Sequence, residues 1–332
     1  MKKLPLVITT LFLLTYSSFA QESSGMKMPE FGAWFWGSYQ WDDTEGKVPQ
    51  TKFGINSARL IIKGEFTKDV SYHVMTDFWT YEGLRPILMQ AWVQYNTGTY
   101  AQIRVGQFKY PFGIEAYPAL IKWKFMNPSY VTFGISKKLG KEGAFFRDIG
   151  AQVAGTAKIS KTLSFFYKVM LMNGNGSNVF ENNNSKDLVG NIGVKLPYNV
   201  VLGGSYFTGV SGDSIDVNEN GFAVNVAVKD KKFTAQAEYM SAFYELTTGS
   251  EKPAGYYVYG TYMIFPKIEV GVRYDSFDRN SNSSNVSMNR TTISTAYYFN
   301  SINRIMLNYE IRNDDQTQNF GNLLSILFQA AI

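Results

Sequence analysis

The chain of 332 residues carries a formal net charge of +5, one histidine and no cysteine, with 16% aromatic residues and a mean hydropathy of -0.17. The lack of cysteine excludes disulfides and thiolate metal centres. So mild a positive excess, +3 once Lys2 and Lys3 are set aside, does not argue for nucleic-acid binding.

Residues 1–20 read as a secretory signal peptide: basic Lys2 and Lys3, an apolar stretch from Leu4 to about Leu14, and Ser18-Phe19-Ala20 before Gln21. The stretch is shorter than the roughly 20 residues a spanning helix needs. No linker or composition shift divides the rest, so one domain over 21–332 is expected.

From residue 31 onward the chain alternates apolar and polar residues in sixteen segments, at 31–41, 53–66, 70–81, 87–97, 100–110, 147–160, 163–173, 187–196, 200–209, 220–229, 233–244, 255–264, 268–277, 288–299, 303–313 and 321–332. Leu163, Phe165, Tyr167, Val169 and Leu171, for instance, interleave with Ser164, Phe166, Lys168 and Met170. A period of two puts one set of residues on each face of a strand. About ten residues is the length that crosses a bilayer at a tilt of roughly 45°. The expected fold is all-β, a transmembrane antiparallel β-barrel of about 16 strands.

The joints alternate between short and long. Thr67-Lys68-Asp69, Thr97-Gly98-Thr99, Pro197-Tyr198-Asn199, Asp230-Lys231-Lys232 and Asn300-Ser301-Ile302 are tight turns, whereas 42–52, 111–146, 174–186, 210–219, 245–254 and 278–287 read as longer polar loops. Short turns are periplasmic in outer-membrane barrels, so an even strand count leaves both termini in the periplasm. A Lys or Arg facing lipid at the midplane costs roughly 2–4 kcal/mol. The charged phase therefore faces a wet lumen: Arg59, Lys63, Arg104, Lys168, Lys195, Arg273, Arg290, Arg304 and Arg312, against Asp77, Glu238, Glu269, Asp275 and Glu310 among the acids. Strands one, twelve and sixteen break the rule, being apolar on both faces at Trp34 to Trp36, Tyr256 to Tyr262 and Leu323 to Phe328. Their inner residues are expected to pack on something inside, and the wall at the seam to meet another subunit.

The long joint 111–146 has no alternation and carries Lys122, Lys124, Lys137, Lys138 and Lys141, with Lys109 and Arg147 at its mouths. Folded inward, these residues form a basic constriction that favours anions; pointing outward, they are a solvated loop. The aromatic and apolar content (Tyr117, Leu120, Trp123, Phe125, Tyr130) favours the inward reading.

Two motifs flank that loop. Gly106-Gln107-Phe108-Lys109-Tyr110-Pro111-Phe112-Gly113-Ile114-Glu115 resembles GQFKxPFGxE, and Arg147-Asp148-Ile149-Gly150-Ala151-Gln152-Val153-Ala154-Gly155 resembles RDIGxQxxG. In both, the chain is similar to the phosphate-selective porin O and P family. The resemblance implies a homotrimeric 16-stranded outer-membrane porin with its third loop in the pore, surrounded by outer-membrane lipid and passing small hydrophilic or anionic solutes. It does not by itself confer phosphate selectivity, because no arginine ladder matches residue by residue, and the interior acids nearly balance the interior bases.

The expected function is passive diffusion with an anion preference, no cofactor being called for. The alternatives are a phosphate or polyphosphate channel, a barrel enzyme using His73 with Asp77 and a nearby Ser57 or Ser71, and a plugged structural barrel. Asp216 to Gly221 copies half of a calcium loop, but Ala227 stands where the bidentate Glu belongs.

Overall fold

The alternating phase folds into a closed wall. The computed structural model describes residues 28–332 apart from 81–82, 140–145, 182, 212–216, 247–248, 284–286 and 316–318, so the signal-peptide residues and Lys141 lie outside the described residues. Its first five strands are β1 (Glu30–Thr44), β2 (Gln50–Thr67), β3 (Val70–Thr80), β4 (Gly83–Asn96) and β5 (Gln102–Lys109). Beyond the long loop come β6 (Arg147–Lys158), β7 (Ser164–Met172), β8 (Asp187–Lys195), β9 (Val200–Ser211), β10 (Val217–Lys229) and β11 (Phe233–Leu246). The last third holds β12 (Gly249–Glu251), β13 (Ala254–Phe265), β14 (Ile268–Asp278), β15 (Ser287–Tyr298), β16 (Arg304–Asp314) and β17 (Asn319–Ala331).

Each strand pairs antiparallel with its chain neighbours, and β1 closes on β17 from Trp34 opposite Ala331 to Thr44 opposite Gly321. The short β12 and the longer β13 both pair with β11 and together make one wall strand, giving a closed barrel of sixteen. They are parted at Pro253, which lacks an N–H, but its carbonyl accepts from Ala242 N at 2.9 Å and carries the ladder across.

The alternation falls where expected. On β7, Phe165, Tyr167, Val169 and Leu171 are exposed on the outer face while Met170 and Met172 are buried inside. The tight turns at 67–69, 197–199 and 230–232 fall between strands as expected, Tyr198 and Asn199 adopting the left-handed conformation such turns require. Outward aromatics collect at two levels. Phe66, stacked on Tyr72 at 4.5 Å, joins Tyr95, Tyr100, Phe265 and Phe299 at the short-turn end, and Tyr206, Phe222, Tyr239, Tyr256 and Tyr274 lie towards the other. From Tyr256 to Phe265 the strand advances roughly 30 Å, about 23 Å along the membrane normal at a tilt near 40°, the height of an outer-membrane apolar band.

Several strands run longer than their alternation foretold. The joint at 245–254 is largely strand rather than loop, with Leu246 opposite Gly249 and Tyr244 opposite Glu251, because ladder pairing persists beyond the bilayer where the apolar pattern has no reason to. Val217 to Gly221, the greater part of the calcium-like motif, is likewise strand β10, while Asp216 lies outside the described residues.

Candidate functional site

The joint between β5 and β6 turns into the lumen. It contains a 3₁₀ turn at Leu120–Lys122 and a helix α1 at Tyr130–Leu139. That helix was not legible in the sequence, since Val131, Thr132 and Gly134 are weak helix formers. The hydroxyl of Ser129 caps it by accepting from Thr132 N at 3.2 Å, and Gly134 lets it approach the wall so closely that an added Cβ would lie 2.3 Å from the Phe277 ring.

Interior charges hold the loop against the far wall. Ile114 N donates to Glu238 at 2.7 Å, Tyr130 N to Asp275 at 2.7 Å, Met126 N to Asn308 at 2.8 Å and the Asn127 amide to Glu310 at 2.8 Å. Arg273 donates to Glu115 at 3.2 Å and to the Asn127 carbonyl at 2.9 Å, while Arg304 donates to the Trp123 carbonyl and Arg290 to the Pro128 carbonyl. Asp275, with no exposed side-chain surface, bridges Arg273 and Arg290 at 3.1 Å each. Such buried pairs spend most of their attraction on desolvation, so their role is to fix one arrangement of the loop. Burial pushes the pKa of the Tyr130 phenol up and keeps the ring neutral under the Arg290 guanidinium, 4.2 Å from its centroid.

Apolar packing completes the plug. Phe112, Ala116, Val131 and Ile135 from the loop bury themselves with Met170, Phe207, Met240, Tyr257 and Phe277 from the inner wall. Trp123 and Met126 join Trp36, Met306 and Leu327. Strands one and sixteen of the wall (β1 and β17) are therefore apolar within because the loop lies on them.

The basic residues read from the sequence disperse around this plug. Lys109 is buried and donates to the carbonyls of Ala116 and, at 2.8 Å, Pro118. Lys124 pairs with Glu269 at 2.6 Å. Lys122 is exposed and has no ion-pair partner among the described residues. Arg147 is buried beside Lys109 in the β5–β6 ladder. Lys137 and Lys138 belong to α1, their side chains lying outside the described ones. Of the wall set, Arg59 binds Asp77 at 2.6 Å, Lys63 meets Glu30 at 2.8 Å, Arg104 donates to Gln94 and covers Trp92 at 4.1 Å, Lys168 caps the Tyr117 ring at 3.6 Å and Arg312 pairs with Asp42.

Between the loop and β1–β4 lies a cavity of about 550 Å³, lined by Arg59, Lys63, Lys109, Lys122 and Arg147, with Glu30 as the one acidic side chain among the described residues. A second, of about 560 Å³ at the short-turn end, is lined by Lys122, Lys124, Lys229, Lys231, Lys232, Lys267 and Arg304 against Asp230 and Glu269. Lys122 borders both. The turn lysines had no signal in the sequence beyond charge, because alternation does not say which way a turn residue points. His73 lines the first cavity and stacks on Trp92 at 5.3 Å, and Ser57 donates to Asp77 at 2.8 Å rather than to His73, so the three form no relay.

The family model of the phosphate-selective porins O and P matches residues 31–194 and 205–329, most of the chain. The chain belongs to that family. It is an outer-membrane porin, a barrel for passive diffusion. Solved structures share the porin's fold. An anion-selective porin from Comamonas acidovorans superposes with a TM-score of 0.67 at 8% identity, over 91% of this chain and 99% of the other. The outer membrane channel DcaP of Acinetobacter baumannii gives 0.64 at 14%, over 93% and 100%. A trimer form of Vibrio cholerae OmpT gives 0.63 at 12%, over 92% and 99%. Comparison with curated proteins finds no match.

Proposed function

We propose that the porin passes small anions in preference to cations through the space left beside its inserted loop. The observation that carries this is the charge of the two cavity walls. Interior acids nearly balance the bases, yet Glu238, Asp275 and Glu310 are engaged with the loop, so the cavity walls are left basic. Lys109, Lys122, Lys124 and Arg147 are the proposed constriction residues, with Lys137, Lys138 and Lys141 as further members of the basic set. Arg59 and Lys63 flank the path. A catalytic role for His73 has no support in the Ser57 geometry.

The reading includes short turns and both termini in the periplasm, export under a signal peptide removed after Ala20, and a homotrimer, in keeping with the trimer form of the similar Vibrio cholerae protein. A phosphate or polyphosphate channel is the second reading, favoured by two basic cavities that share Lys122. Planar-bilayer recording under a KCl gradient tests the proposal. An anion-selective reversal potential that falls towards zero in Lys122→Gln/Lys124→Gln is expected. A cation-selective wild type, or no conductance from folded protein, would refute it.

A further inference from the structure

The cavity beside β1–β4 has an inner surface organised in rows by strand register. Lys63, His73 and Trp92 are successive partners across β2, β3 and β4 at the short-turn end; Ile61, Met75 and Gln90 follow; then Arg59 and Asp77. Rows two residues apart are separated by roughly 7 Å. The middle row is apolar at Ile61 and Met75, ends on the Gln90 amide and is widened by Trp34, whose ring carries the Arg59 guanidinium at 4.8 Å. Across the cavity the loop presents Tyr117, Ala119 and Lys122. A belt of apolar surface about as broad as one aromatic ring therefore lies between charged rows.

The cations around the belt are unequally available. Arg59 is engaged by Asp77, Lys109 by two loop carbonyls, and Lys63 by Glu30. Lys122 alone among the exposed cations here has no ion-pair partner among the described residues. A compact, multiply charged oxyanion needs several converging donors and gains nothing from Ile61, Met75 or Trp34. An organic monoanion uses one ammonium for its carboxylate and the belt for its body, and about 550 Å³ is within the usual size of a small-molecule site.

We infer that this cavity is a transit site for carboxylates bearing an aromatic ring, selected over inorganic phosphate. The inference rests on the anion-passing reading and names its solute class. The carboxylate meets Lys122 and the ring lies over Met75 and Ile61 beside Trp34. The test is block of the chloride current of the full-length porin in a planar bilayer by benzoate, acetate and inorganic phosphate, added separately. Benzoate is expected to block at about tenfold lower concentration than either of the others, a difference that partial burial of one ring supplies. Met75→Gln, which keeps the side-chain length, should raise the half-blocking concentration of benzoate several-fold and leave that of phosphate unchanged. Trp34→Ala should do the same, but its indole N–H donates to Ser57, and Met75 is itself buried beside Trp34 and Met89, so heat-modifiable mobility checks the folding of both variants. Ile61→Gln, at the part-exposed position of the same row, should raise the half-blocking concentration of benzoate alike. Phosphate blocking as well as benzoate, or benzoate block indifferent to Met75→Gln, would overturn the inference while leaving anion conduction intact. A wild type without anion-selective current would overturn the reading beneath it as well.

Discussion

Replacing Asp275 by Asn tests whether interior charge holds the loop. Asp275 has no exposed side-chain surface; it accepts from Tyr130 N at 2.7 Å, from Arg273 Nε at 3.1 Å, and from Arg290 Nε and Nη2 at 3.1 Å each. Asn is nearly isosteric, but one of its two terminal groups is a donor and its charge is zero. Hydrogen bonds to charged groups contribute about 1.5–3 kcal/mol each, and two are lost. The arginines are not abandoned, because Arg273 keeps Glu115 and Arg290 keeps Glu310. The net cost is therefore about 3 kcal/mol, at the low end of the range for removing one partner of a buried pair. The two lost bonds join wall side chains of β14 and β15, so the loop feels the change through Tyr130 N, whose partner becomes a neutral amide oxygen, and through Arg273 and Arg290, which also hold the Asn127 and Pro128 carbonyls. The loop's share is about 1 kcal/mol, a shift of roughly fivefold in its docking equilibrium. In single-channel recording the variant should show larger and noisier open currents than wild type, while heat-modifiable electrophoretic mobility reports an intact barrel. Unchanged conductance and noise in a folded variant would refute the argument that this carboxylate clamps the loop.

Gly106→Ala should abolish the folded, heat-modifiable form, since Gly106 sits at φ +132° and an added Cβ would lie 2.1 Å from the Ala91 carbonyl oxygen, with rigid backbone on the other side. Val272→Arg places a guanidinium on the lipid face of β14, where the valine is 54% exposed, and urea unfolding in phospholipid vesicles should show a loss of about 2–4 kcal/mol.

How much of this could be read in advance depended on the range of the interaction. The faces of β7 were legible from Leu163 to Leu171 because lipid on one side and water or plug on the other impose a period of two on adjacent residues. The inward loop was legible in part, from Tyr117, Trp123 and Phe125 in a segment too apolar to stand in water. Its fastening was not. Ile114 finds Glu238, Met126 finds Asn308 and Arg304 finds the Trp123 carbonyl across more than a hundred residues, and only the closed register of the wall brings them together. The basic set shows the same limit: of seven basic residues close in sequence, Lys109 donates to loop carbonyls, Lys124 pairs with Glu269 and Lys122 stands exposed, and lysines from distant turns lie beside it with no signal in the sequence.

The partners of the loop also constrain the order of assembly. Residues 113–130 fasten to β11 and β14–β16, strands made after the loop itself, and the seam between β1 and β17 joins segments nearly the whole chain apart. Contacts of such separation form late, since the chain loses much freedom before they repay it. The anchors for the inserted segment thus exist only when the last third of the wall is in place. Until then the ring is incomplete, its core undocked and its future lumen unobstructed. Narrowing of the pore accordingly follows the pairing of β14–β16, and a barrel whose loop stayed undocked would be a wider hole in the membrane.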